Sequence, residues 1–198
     1  MLNITVKELG IYFANCYLVH GEGSNSCIAI DPGGNPEKVL KYLEETGLTL
    51  EAILLTHGHF DHVGGVKPLA EKTGCPVYIH ADDLKLPEKF TAGPLYWTAT
   101  YVEGDVLELA GMQLRVLHTP GHTEGSVCLV AEDVIFSGDT LFCRSCGRTD
   151  LPGGNQEKLE QSLARLKQLE GEYRVLPGHN RATTLALERE YNPYMKMV

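Results

Sequence analysis

Three histidines and an aspartate stand within six consecutive positions: His57, His59, Asp61 and His62, in the segment Thr56-His57-Gly58-His59-Phe60-Asp61-His62-Val63-Gly64-Gly65. Imidazole is the commonest metal ligand in proteins, and carboxylate complements it for zinc-like cations. Four donors this close are hard to fit around one tetrahedral ion. They suit two ions side by side, each completed by donors from elsewhere in the chain.

Three further donors recur in one local context. His122 lies in His118-Thr119-Pro120-Gly121-His122-Thr123, Asp139 in Phe136-Ser137-Gly138-Asp139-Thr140, and His179 in Leu176-Pro177-Gly178-His179. Each follows an apolar run and a glycine turn, as the first cluster follows Ala52–Leu55. Glycine lets the backbone turn tightly where a donor must face inward. If the four runs are strands of one core, their ends lie along one edge and seven donors converge there. Isolated histidines are more often surface or satisfied core residues, so His20, His80 and His118 are assigned no function. His118 is at most a support for the site.

The elements that would position these donors are legible. Short, β-branched apolar runs bounded by turn residues predict strands. They are Ile4–Val6, Tyr17–Val19, Cys27–Ile30, Ala52–Leu55, Val77–Ile79, Val106–Leu109, Leu114–Leu117, Val127–Val130, Val134–Phe136 and Tyr173–Leu176. A helix is expected after Asn35 as N-cap, with Pro36 at its first position, a stripe of Val39, Leu40 and Leu43, and Gly47 at its end. A second is expected near Val66–Thr73. A third, from Gln156 to Glu170, carries Leu159, Leu163, Leu166 and Leu169 and is closed by Gly171. A short fourth covers Thr184–Tyr191, ended by Pro193. Strands with interspersed helices predict an α/β fold in which sheets pack face to face under helices. The irregular segment Asp83–Tyr101 reads as a surface loop or lid.

The 198 residues suit one domain, residues 1–198. The formal net charge of −9 and the absence of a basic stripe weigh against nucleic-acid binding. No apolar run is long enough to span a bilayer, and the N-terminus has no signal-peptide pattern, so a cytoplasmic protein without a membrane partner is expected. Cys16, Cys27, Cys75 and Cys128 lie in or beside apolar runs and read as buried hydrophobes. Cys143 and Cys146 form a lone CxxC, read as loop residues near the site rather than a redox pair.

The HxHxDH motif and the TPGHT, SGDT and PGH segments, in this order, resemble the metallo-β-lactamase superfamily from about Asn15 to Pro193. Ala14-Asn15-Cys16-Tyr17, Cys146-Gly147-Arg148-Thr149-Asp150-Leu151-Pro152-Gly153-Gly154 and the stretch Pro177–Asn192 are similar to the short glyoxalase II-like branch, the hydroxyacylglutathione hydrolase-like proteins. The resemblance implies a four-layer αβ/βα sandwich with its metals at one edge. It implies that His57, His59 and His122 hold the first of two divalent ions, that Asp61, His62 and His179 hold the second, and that Asp139 bridges them. Zinc is the expected metal, with iron and manganese as alternatives. The implied activity is hydrolysis of a thioester of the S-2-hydroxyacylglutathione type, a small-molecule substrate, by a shared hydroxide that Asp61 orients. In the longer enzymes a C-terminal helical domain grips glutathione; Asn180–Val198 are not expected to do so. Arg148 falls near the place of a glutathione-binding Lys and is a candidate for a substrate carboxylate, or else a loop anchor. Two rivals remain: a one-iron sulfur (persulfide) dioxygenase on the same fold, and a non-catalytic metal-binding protein. β-Lactam or lactone hydrolysis also remains open, because specificity lives in loops.

Overall fold

Side chains along the central strands alternate between two different cores. On β2 (Ala14–Gly21), Cys16 and Leu18 face one core while Tyr17 and Val19 face another. On β9 (Val127–Ala131), Val127 and Leu129 face that second core while Cys128 and Val130 face a third. Strands buried on both faces require a layer on each side. The structure, a computed structural model describing residues 1–91 and 93–198, supplies them.

The first sheet runs β1 (Leu2–Leu9), β2, β3 (Ser26–Ile30), β4 (Thr49–Leu54), β5 (Val77–His80) and β6 (Ala99–Tyr101) in spatial order. The second is ordered β14 (Thr183–Thr184), β13 (Arg174–Pro177), β10 (Val134–Gly138), β9, β8 (Met112–His118) and β7 (Val106–Leu109). A hairpin pairs β11 (Leu141–Phe142) with β12 (Ser145–Cys146). Val39 and Leu43 of α1 (Pro36–Thr46), Val63 of α2 (Phe60–Val63) and Val66 and Leu69 of α3 (Val66–Thr73) cover the outer face of the first sheet. Leu159, Leu163 and Leu166 of α4 (Gln156–Lys167), with Leu185 of α5 (Leu185–Tyr191) and Met195 of α6 (Pro193–Met197), cover the second. This is the four-layer αβ/βα sandwich.

Strand direction sets where the site must be. β3, β4 and β5 are parallel neighbours, so their C-terminal ends share an edge. β8 and β10 each pair antiparallel with β9 and therefore run the same way, and β13 is parallel to β10. The amide of Val127 donates to the carbonyl of Thr56, which ties the end of β4 to the start of β9 across the sandwich.

All ten expected runs lie in strands, whose ends differ from the expected ones by up to three residues. The short strands β6, β11, β12 and β14 carry too few residues to show a period and were not anticipated. Asn35 precedes α1, but its side chain makes no cap bond; it sits at φ 45° and accepts from the amide of Gly10. α4 ends at Lys167 rather than Glu170, and Gly171 does not cap it. Arg189 reaches across from α5 and donates to the carbonyls of Lys167, Leu169 and Gly171. The expected short fourth helix is α5, which stops at Tyr191; Pro193 then opens α6, with Asn192 accepting from the amides of Tyr194 and Met195. The segment expected as a loop or lid is partly built in. It holds 3-10 turns at Ala81–Lys85 and Glu88–Phe90, and its Leu84, Leu95 and Tyr96 pack on the first core. Ala92 of that segment lies outside the described residues. Cys16, Cys27, Cys75 and Cys128 are buried, Cys143 and Cys146 half-buried, and all six are free thiols. Among the described residues, no helix is long and apolar enough to cross a membrane.

Candidate metal centre

The seven expected donors converge at the shared strand edge. Potential ligand atoms of His57, His59 and His122 lie within 4.8 Å of one another, and so do those of Asp61, His62 and His179. Nδ1 of His59 is 2.9 Å from Nε2 of His122. Nε2 of His179 is 3.3 Å from Nε2 of His62 and 3.2 Å from Oδ2 of Asp61. Asp139 stands between the groups: Oδ1 is 3.4 Å from His62, while Oδ2 is 3.6 Å from His122 and 3.7 Å from His179.

The chemistry of the cluster fits divalent cations. His57 Nε2, His59 Nε2 and Asp139 Oδ1 are buried with no hydrogen-bond partner. Buried polar atoms are normally satisfied, so three orphans in one cluster mark a place where lone pairs are reserved for a cation. Burial, then the neighbouring imidazoles, push His57 well below the ordinary histidine range, and the same causes bring His59 to about 4. Burial also acts to lower His62, but Asp139, Asp31 and Asp61 outweigh it and raise His62 to about 9. Burial acts to raise Asp61, yet the His179 hydrogen bond and His62 together hold it at about 2. Against its burial, His179 is raised by Asp61 and Asp139.

Outer contacts orient the rings. His122 Nδ1 donates to the carbonyl of Arg148 at 2.8 Å, which leaves Nε2 facing the cluster. His62 Nδ1 is 3.0 Å from Oδ2 of Asp31. Asp31 also accepts from the amide and hydroxyl of Thr56, at 2.8 and 2.6 Å. These bonds hold Asp31 in the left-handed region, at φ 52°, which an aspartate tolerates better than most residues.

The metallo-beta-lactamase superfamily model matches residues 9–179. The chain belongs to that superfamily. The probable metallo-hydrolase YqgX of Bacillus subtilis is 39% identical, with 92% of each chain covered. The hydroxyacylglutathione hydrolase GloC of Haemophilus influenzae is 34% identical, with 98% of each covered. The solved structure of TTHA1623 in a di-iron-bound form is 44% identical, covers 96% of this chain and 99% of that one, and superposes with a TM-score of 0.85.

Two residues of this superfamily site escaped the sequence reading. Asp31 follows strand β3 before Pro32 and two glycines, the same strand-then-turn signal that located the other donors. Asp83 is fully buried and clamps two donor loops together. It accepts from the amide of Gly58 at 2.7 Å, the amide of Gly125 at 2.7 Å and the hydroxyl of Thr123 at 2.9 Å. Burial raises its pKa, with those donors pulling the other way. Asp83→Ala strands three buried donors, and we expect it to cost about 3 kcal/mol, read as a lower urea midpoint with an unchanged slope.

Gly178 is required by a close approach. A Cβ there would lie 2.2 Å from Oδ1 of Asp139 and 2.7 Å from Cε1 of His62. Gly178→Ala is expected to displace Asp139 and cost about 1–3 kcal/mol by overpacking. Metal analysis should show less than the wild-type content in protein that still folds by circular dichroism.

A cavity lined by His59, Asp61, His122, Asp139 and His179 also has Arg148 on its wall, but the guanidinium is paired bidentately with Asp150 at 2.7 and 2.6 Å. Cys143 and Cys146 also line that cavity, from the β11–β12 hairpin. His118 does not touch the seven donors. It stacks on His80 at 4.2 Å and contacts the carbonyl of Glu124.

Proposed function

We propose that this protein is a metal-dependent thioesterase of the glyoxalase II type, hydrolysing an S-2-hydroxyacylglutathione or a related thioester. The observation that carries this reading is a pair of three-donor groups sharing Asp139, open to a cavity of about 1250 Å³. In this reading His57, His59 and His122 would hold one cation and Asp61, His62 and His179 a second, with Asp139 available to both. Bound divalent cations supply Lewis acidity toward a carbonyl and bring the pKa of water from ~15.7 to near ~7. Zinc, iron and manganese all suit these ligands.

The protein's own groups do the rest. Asp61, held near 2, is a carboxylate at neutral pH and accepts a hydrogen bond from the attacking water, fixing its direction. Tyr12, Phe60, Phe90 and Phe142 line the cavity and lower the local polarity around the reacting carbonyl. A thiol of pKa ~8.5 leaves as a thiolate without a strong general acid, so the lack of an obvious extra acid beside Asp61 favours a thioester over an amide. The superfamily relationship and the 34% identity to GloC support the same choice.

The test joins a metal count on purified protein to hydrolysis of S-lactoylglutathione, followed by thiol release. Two cations per chain and metal-dependent thiol release are expected. No thiol release from fully metallated protein would sink the reading, and one iron per chain with oxygen consumption would point to an oxygenase.

A further inference from the structure

A second cavity adjoins the one that the metal donors line. Glu8, Asn180 and Arg181 line both the cavity at the metal donors and a neighbouring one of about 650 Å³, so the two cavities adjoin along these residues. The second cavity opens between the inner faces of β1 and β13. Ile4, Val6, Tyr17 and Leu176 give it apolar walls, and Lys38 and Arg174 add positive charge. Glu8 is its one acidic lining residue among those described. This concentration of cations is not a reflection of composition, because acidic residues outnumber Lys and Arg by 26 to 17.

Arg181 sits at the junction, two positions after His179. Among the described residues, no carboxylate comes within 4.0 Å of its guanidinium; its Nε donates to Sγ of Cys143 at 3.3 Å. Arg148 differs, since its Nε and Nη2 both donate to the carboxylate of Asp150. Arg144, the third arginine of the cavity, lies over the ring of Tyr191 at 4.5 Å. The carboxylate nearest Arg174 among the described residues is that of Asp133, at 3.9 Å. The strip that presents Arg181 is pinned from the first sheet: Asn15 donates to the carbonyls of Pro177 and Asn180, both at 2.9 Å, and Tyr17 to Pro177 at 2.7 Å. An exposed guanidinium on a fixed backbone, whose terminal nitrogens have no partner among the described residues, suits bidentate capture of a carboxylate or phosphate.

We propose that Arg181 anchors an anionic thiol carrier, whose tail runs from the metal centre across Arg181 into the cavity flanked by Arg174 and Lys38. This rests on the thioesterase reading and names its substrate class: thioesters whose thiol bears an elongated carboxylate- or phosphate-containing tail. About 650 Å³ lies within the usual range of a small-molecule pocket.

One acyl group presented on three thiols tests this: neutral N-acetylcysteamine, glutathione with its carboxylates, and coenzyme A with its phosphates. Wild type should favour at least one anionic carrier over the neutral one by about tenfold or more in kcat/KM, the worth of one well-made charged contact. Which of the two is favoured identifies the anion. Arg181→Gln should lower the anionic-to-neutral ratio about tenfold, chiefly through KM, and Arg174→Gln should lower it less. Lys72→Gln, at an exposed position of α3 that lines neither cavity, should leave the ratio alone. Calorimetry with S-methylglutathione and desulfo-coenzyme A reads the same cavities without turnover, and Arg181→Gln should weaken the preferred analogue about tenfold. Equal kcat/KM on all three thioesters, or an unmoved ratio and unmoved affinity in Arg181→Gln, overturns the proposal. If no thioester is hydrolysed, the thioesterase reading fails, and analogue binding still decides on the Arg181 anchor.

Discussion

Replacing Asp61 with alanine is expected to lower thioester hydrolysis about a thousandfold while the protein stays folded. Asp61 lies in the short helix α2, directly before His62, and its side chain is partly open to the cavity. It therefore contributes little to the cores that hold the sandwich together. Its Oδ2 is 3.2 Å from His179 and 3.9 Å from His62, so its loss also removes one donor from the second group. Steady-state kinetics, metal content and thermal melting should be measured together. The expected pattern is a large fall in kcat, weaker retention of one cation per chain, and a small change in the melting temperature of the metal-free protein. A purely structural cation predicts the reverse, with lost stability and no activity to lose.

Removing the metals should expose a second large effect, one that depends on pH. In metal-free protein, His57 and His59 are held neutral by burial. Their contribution is present above an unfolded pKa of ~6.5 and is lost as pH falls, toward about 4 for His59. His62 has the opposite sign. Its pKa is raised to about 9, so its contribution is complete below ~6.5 and is lost as pH rises through about 9. From these groups, the metal-free protein should be most stable near pH ~6.5. A cation must displace the proton of His62, so binding near neutral pH should release about one proton or more. It should also be tighter at pH 8 than at pH 6. Calorimetry in two buffers of different ionisation heat measures the release, and zero protons would remove His62 from the ligand set. At a free cation concentration ~1,000 times Kd, one bound ion adds about 4 kcal/mol. For a chain of this size that is a melting shift on the order of 10 °C. Chelation should reverse the shift, and by more at pH 8 than at pH 6.

The groups His57, His59, Asp61 and His62 were visible locally because their spacing is chemical: donors crowd where no helix or strand needs them. His122, Asp139 and His179 were visible only through their context, each past a strand and a glycine. Asp83 was not visible. Its partners Gly58, Thr123 and Gly125 are distant in sequence, and an aspartate in a polar segment looks like solvent-exposed surface until the fold buries it. The end of α4 was misplaced for a similar reason, since Arg189, far along the chain, satisfies the carbonyls that end it.

The sequence by itself determined the donor types, the strand–turn–donor rhythm and the α/β class, because those depend on side-chain chemistry and short periods. Only the tertiary structure decided which donors share a cation-sized space and that Asp139 lies between the two groups. It also decided that the charge of Arg148 is paired with Asp150, while Arg181, at the junction of two cavities, has no carboxylate partner among the described residues. Distances between residues far apart in the chain follow from strand order and sheet packing. Local patterns of residues carry no measure of them.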